Sequence, residues 1–261
     1  MAAPGSLRSS SLLALSFGLG GCSTLLLPDA PMTRIGPHGP PVDLKGGETV
    51  VDGSFVATNQ ATEGIHGGRL MLRQAFTDDL SLRMEGFYQD SEVTREAIGG
   101  RAGLVFSPIP HFALHVGGGV GRGDGGSFAG PDIGVVLGYV NPHFIPYAGL
   151  RGALVTTFDE QRLRVTDSGD VADYDLQPSV NWRADLGFAV PLTRRQATEV
   201  ALHTTFGIGM THILGPNEAE ITYGQNTDYA VGISPATSSP DLQLAVGLRV
   251  RFGDDSLREP Y

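Results

Sequence analysis

The sequence predicts an all-β chain closed into a ten-stranded, antiparallel, up-and-down transmembrane β-barrel. Three observations carry this expectation. Apolar residues recur with period two in ten segments between residues 48 and 252, and charged or small residues occupy the alternate positions. Side chains of a strand point to opposite faces with that period, so each segment offers one greasy and one polar face. No apolar run reaches the roughly 20 residues that a membrane-spanning helix needs, so a spanning chain of this kind crosses with strands. The connections, finally, alternate between tight and long along the chain.

Composition narrows the function classes. With 261 residues and 41% hydrophobic content there is material for one sizeable β domain, and disorder is excluded. Lys plus Arg total 18 against 28 Asp plus Glu, for a net charge of −10, which argues against nucleic acid as a partner.

Taken in order, residues 1–21 have the layout of a secretory signal peptide: one Arg in MAAPGSLRSS, then the short apolar SLLALSFGLGG. Leu19-Gly20-Gly21-Cys22 resembles the bacterial lipobox, which implies lipidation of Cys22, and Ser23 in place of Asp implies onward sorting to the outer membrane. Cys22 is the single cysteine, so disulfides play no part in the fold. Residues 22–47, rich in Pro and Gly and without hydrophobic period, read as a tether.

The strands follow. TVVDGSFVAT opens the series. GRLMLRQAF sets Leu70, Leu72 and Phe76 against Arg69, Met71 and Arg73, and LSLRMEGFY sets Leu80, Leu82, Met84 and Tyr88 against Ser81, Arg83, Glu85 and Phe87. RAGLVF, FALHVGGGV, IGVVLGYV, PYAGLRGALV, VNWRADLGFAV, VALHTTFGIGM and DLQLAVGLRVRF complete the ten. A sandwich would bury the apolar face and a membrane barrel would turn it to lipid. The connections favour the barrel: TDD, SPIPH, NPHF and PLTRRQATE fall on one rim, and the longer loops on the other. Short periplasmic turns and longer outer loops are the pattern of such barrels. Trp182, Tyr88, Tyr139, Phe106, Phe112 and Phe252 fall where interfacial aromatics are expected.

Residues 48–252 thereby resemble the small bacterial outer-membrane β-barrels of the OmpA-type and porin-like superfamily. Gly247, Val250 and Phe252 fit the Gly-x-x-hydrophobic-x-aromatic signal read by the barrel assembly machinery. The family pattern ends on the aromatic residue, whereas this chain runs on through a periplasmic tail, residues 253–261. The resemblance implies the bacterial outer membrane as location, with lipid and lipopolysaccharide around the wall.

With the apolar face outward, the lumen collects Arg69, Arg73, Arg83, Glu85, Arg101, His115, Arg151, Arg183, Asp185, His203, Arg249 and Arg251. Arginine outnumbers acid in this set. Buried charges need partners or water, so Glu85 is expected to pair with Arg83 or Arg101, and Asp185 with Arg183. Inward glycines such as Gly117, Gly119, Gly187, Gly207 and Gly209 are expected to widen the bore.

The functional expectation is a non-enzymatic, surface-exposed envelope or scaffold component that meets envelope proteins through its long outer loops, with no cofactor and no metal. A small porin with an Arg-lined lumen passing anionic solutes is the alternative. An outer-membrane hydrolase and a soluble lipocalin-like lipoprotein stand behind it. The hydrolase would draw on Asp173 and Asp175 with His212 or His66, or on His203 with Thr205, which share a strand face. The acidic run from Asp159 to Asp175 reads as a solvated loop.

Overall fold

The computed structural model describes residues 44–253 apart from loop positions 61–62, 92–95, 110, 124–125, 140, 142, 159–160, 165–170, 176–177, 196–197, 215–216, 224–226 and 234–238. The expected signal peptide, most of the tether including Cys22, and the tail beyond Gly253 lie outside the described residues.

Fourteen strands form among these residues. They are β1 (Thr49–Gln60), β2 (Glu63–Ala75), β3 (Leu80–Ser91), β4 (Ala97–Phe106), β5 (Phe112–Gly123), β6 (Gly126–Gly138) and β7 (Ile145–Thr157), then β8 (Gln161–Arg164), β9 (Val171–Asp175), β10 (Ser179–Arg195), β11 (Thr198–Ile213), β12 (Asn217–Tyr223), β13 (Thr227–Ile233) and β14 (Ser239–Phe252). Ten of them close an antiparallel barrel in the order β1-β14-β11-β10-β7-β6-β5-β4-β3-β2. Closure is made by β1 against β14, in register from Thr49 opposite Phe252 to Gln60 opposite Asp241. The chain is therefore a ten-stranded up-and-down barrel without a free wall edge.

The period of two sets what each face meets. Along β14, Leu242 is 59% exposed, whereas Gln243, Ala245 and Arg249 are buried. The same holds around the wall: Leu70, Ile98 and Leu186 stand outward at 61%, 64% and 68% exposure. Monomeric soluble proteins rarely expose apolar patches beyond a few hundred Å², and here an apolar surface encircles the barrel. Its solvent is the hydrocarbon of a bilayer. The lipocalin-like alternative, which needs the leucines inside, is overturned.

Side-chain caps shape the short turns. Thr77 Oγ1 accepts from the Asp79 and Leu80 amides at 3.3 and 3.0 Å, and Asn141 Oδ1 accepts from His143 and Phe144 at 2.9 and 2.8 Å. Such local bonds favour chain reversal over further strand. Prolines mark two irregularities. The β6–β7 ladder skips Gly130 and Pro131 between Ala129 opposite Thr156 and Asp132 opposite Ala153, and the β10–β11 register shifts between Pro191 and Thr193. Proline cannot donate to a ladder, so it sits where the ladder is broken.

The opposite rim departs from expectation. The β1–β2 and β5–β6 connections shrink to residues 61–62 and 124–125, because the strands run into sequence read as loop. The two longest loops are hairpins themselves. β8–β9 and β12–β13 join into a four-stranded sheet in the order β13-β12-β9-β8, with Asp175 opposite Glu218 and Asp173 opposite Glu220. Loop length on this rim is thus concentrated between β7 and β10 and between β11 and β14.

Candidate functional site in the barrel lumen

Because alternate residues of every wall strand face inward, a polar residue at the right parity is delivered to the lumen wherever the strand lies. The structure turns Arg69, Arg73, Arg83, Glu85, Arg101, His115, Arg151, Arg183, Asp185, His203 and Arg249 inward and buries them, with Arg251 half-buried at the inner rim. It adds five carboxylates absent from the sequence expectation: Glu48, Asp52, Asp132, Glu199 and Asp241. Eight arginines (69, 73, 83, 101, 151, 183, 249 and 251) then face seven carboxylates (48, 52, 85, 132, 185, 199 and 241) among the described lumen residues. The expected arginine excess narrows to eight against seven among the described lumen residues.

The charges form an alternating chain around the wall. Asp52 on β1 meets His203 Nε2 of β11 at 2.9 Å and Arg69 Nη2 of β2 at 3.0 Å. Arg69 reaches Glu85 at 4.0 Å, and Glu85 takes Arg83 at 2.7 Å and Arg101 at 3.9 Å. Arg101 continues to Asp132 at 3.8 Å, which also holds Arg151 and meets His115 Nδ1 at 3.5 Å. Glu85 thus pairs as expected, with both arginines. Asp185 does not: Arg183 donates instead to both oxygens of Asp241 on β14, at 2.8 and 3.0 Å. The side chains of Asp52, Arg69 and His203 are wholly buried. A bore wide enough for water would leave them wet, so at this level the lumen is filled.

Glycine does the opposite of what the sequence reading expects. A Cβ on Gly187 would lie 2.4 Å from the Tyr147 ring, and one on Gly247 would lie 2.5 Å from His203 Nε2. These glycines are the gaps into which a neighbouring strand's large side chain lies down. At Gly247 the gap lets His203 of β11 cross β14 and reach Asp52 on β1, so one polar side-chain contact spans the closing seam. Val250 and Phe252, the other members of the assembly-signal pattern, belong to the outward face, where Phe252 is 46% exposed.

Asp185 is the exception in the belt. Both its oxygens are buried without a hydrogen-bond partner among the described residues. Removing a buried charge that lacks a direct partner costs little, unlike removing one member of a buried pair. Asp185→Asn is therefore expected to leave the urea midpoint of the barrel, followed by gel mobility, unchanged or raised.

His203 is engaged by Asp52, and Thr205 bonds the Tyr147 hydroxyl, with both residues buried. His66 stands at the outer end of β2, 3.6 Å from Asp90, and His212 lies on β11, opposite Val180 of β10. Asp173 and Asp175 have Arg162, Glu220 and Glu218 as their register partners.

No protein-family model matches the chain, and no curated protein sequence matches it. Among solved structures, the barrel is similar to the outer membrane protein OprG from Pseudomonas aeruginosa, with 14% identity, 80% of this chain and 97% of that one covered, and a TM-score of 0.38. It is similar also to the outer membrane protease OmpT from Escherichia coli, at 9% identity, 78% and 96% coverage and a TM-score of 0.48. The translocator domain of the autotransporter NalP from Neisseria meningitidis gives 12%, 80% and 89%, and 0.42. The likeness is one of fold. Wall and lumen together define a transmembrane β-barrel whose interior is filled by ion pairs.

Proposed function

We propose that this chain is a non-enzymatic component of the bacterial outer membrane, anchored by its own strands and, through Cys22, by lipid, and that it meets envelope partners through the sheet β8-β9-β12-β13. Lipopolysaccharide surrounds the outer half of the wall, and the segment around Gly247, Val250 and Phe252 addresses the assembly machinery. The burial of the Asp52–Arg69–Glu85 chain carries the reading, because a filled lumen leaves the outer sheet as the part built to contact something. The buried state of His203 and Thr205 supports a role other than hydrolysis. Purified protein in a planar lipid bilayer is expected to give no steady conductance above the bare membrane. Stable anion-selective steps would replace this reading with the small porin.

A further inference from the structure

The Asp185 carboxylate is 3% exposed, and neither of its oxygens has a hydrogen-bond partner among the described residues. A buried carboxylate needs donors, because polar atoms taken out of water without a partner carry their full desolvation cost. Donors are near in the fold. Arg183 shares the inward face of β10 with Asp185, and Arg151 stands opposite Arg183 on β7. Each guanidinium is held through Nη2 by a carboxylate on its far side, Arg151 by Asp132 of β6 and Arg183 by Asp241 of β14. The two pulls run in opposite directions around the wall. The other part of each fork, Nε and Nη1, is buried and has no hydrogen-bond partner among the described residues.

Glycine makes the room between these groups. Asp185 has Gly149 opposite it on β7 and Gly207 opposite it on β11. A Cβ on Gly207 would lie 2.5 Å from Asp185 Oδ1 and 3.5 Å from Arg183 Nε. An unpaired acceptor and an unpaired donor therefore border the same bare stretch of β11. A bound anion there would meet the Asp185 charge, and a bound cation would meet Arg183 and Arg151. A small neutral molecule that donates to the carboxylate and accepts from the guanidinium groups suits both, and buried water does this at sites that offer it two to four polar partners. We propose that Asp185, Arg183 and Arg151 form a binding site for enclosed water in the β7–β10–β11 sector, where water bridges the carboxylate to the free sides of the two arginines. The belt is then closed in two ways. Direct contacts run from Asp52 through Arg69, Glu85 and Arg101 to Asp132, and water completes the sector that glycine leaves bare. Since Asp185 and both arginines are shielded from bulk solvent, this water adds no path through the lumen.

The test is NMR on the full-length, 15N-labelled protein in detergent micelles, with the Arg183 Nε–H signal assigned by its loss in Arg183→Lys. A rotating-frame cross-peak between this proton and water, of dipolar and not exchange sign, is expected. It should persist in Asp185→Asn, which still offers an acceptor, and disappear in Asp185→Leu, which does not. An Arg183 Nε–H without contact to water in the unaltered chain would overturn the proposal, as would a cross-peak that survives Asp185→Leu unchanged. A crystal structure that shows ordered solvent gives the second measurement. Water hydrogen-bonded both to Asp185 and to Arg183 or Arg151 is expected. A direct ion pair of Asp185 with either arginine, or an anomalous bromide peak between them after soaking, would contradict the site. Where a variant does not assemble, the crystal structure of the unaltered chain decides.

Discussion

Replacing Asp52 by Ala will cost about 3–5 kcal/mol of barrel stability, the loss typical of breaking a buried ion pair and stranding its partner. Here the Arg69 guanidinium is stranded and His203 loses the carboxylate beside it. His203 Nε2 and Arg69 Nη2 lie 2.9 and 3.0 Å from the carboxylate, and none of the three side chains reaches solvent. The location makes the effect larger than elsewhere in the belt. Asp52 is on β1, Arg69 on β2 and His203 on β11, so the cluster ties the first strands to the last across β14. The measurement is the urea midpoint at which the fast-migrating, unboiled gel band disappears. Gly247→Val tests the same seam sterically, since a Cβ there meets His203 Nε2 at 2.5 Å and the Gly53 carbonyl at 2.7 Å. It should lower the yield of closed barrel even with every charge in place.

Leu186→Arg will cost about 2–4 kcal/mol, as charged residues do at the bilayer midplane of a barrel wall. Leu186 is 68% exposed and lies mid-strand on β10, opposite Ala148 and Phe206. At an equally exposed site on a soluble protein the same change would fall within about 0.5 kcal/mol of neutral. Leu242→Arg supplies the ruler: it lies near the outer rim, opposite Asn59, where the cost falls to about 0–1 kcal/mol. A depth-dependent pair of values separates lipid contact from simple loss of packing.

How much of this was legible in the chain depends on range. DLQLAVGLRVRF states its two faces within a dozen residues, and β14 keeps them: Leu242, Leu244, Val246 and Leu248 are exposed, while Gln243, Ala245 and Arg249 are buried. Alternation likewise places Arg83 and Glu85 together on the face that β3 turns inward. Asp52 was within reach of the same argument, since it shares the parity of Val50 and Ser54. Asp241 was too, as the first residue of DLQLAVGLRVRF and of the parity of Gln243, whereas Asp132 and Glu199 were not. Each lies at or beyond the edge of its apolar run, and the ladders extend past the grease to include them. Partner choice was hidden as well. Arg183 finds Asp241, 58 positions away, instead of Asp185 two positions along, because strand register brings β10 and β14 together over the glycines of the intervening β11. The role of glycine was misread for the same reason. A missing side chain reads as empty space in one strand, and only the neighbouring strand shows what fills it. The outer hairpins escaped notice because QRLR and VADYD are too short and too charged to display a period.

The central claim is that the leucine face meets lipid and the arginine face a filled interior. Its most direct test is the chain with Cys22→Ser behind an ordinary cleavable signal, fractionated after carbonate extraction and run on gels with and without boiling. Retention in the outer membrane with faster migration before boiling is the predicted result, since the strands hold the protein there without an acyl anchor. Recovery as a soluble periplasmic protein whose mobility ignores boiling would contradict it.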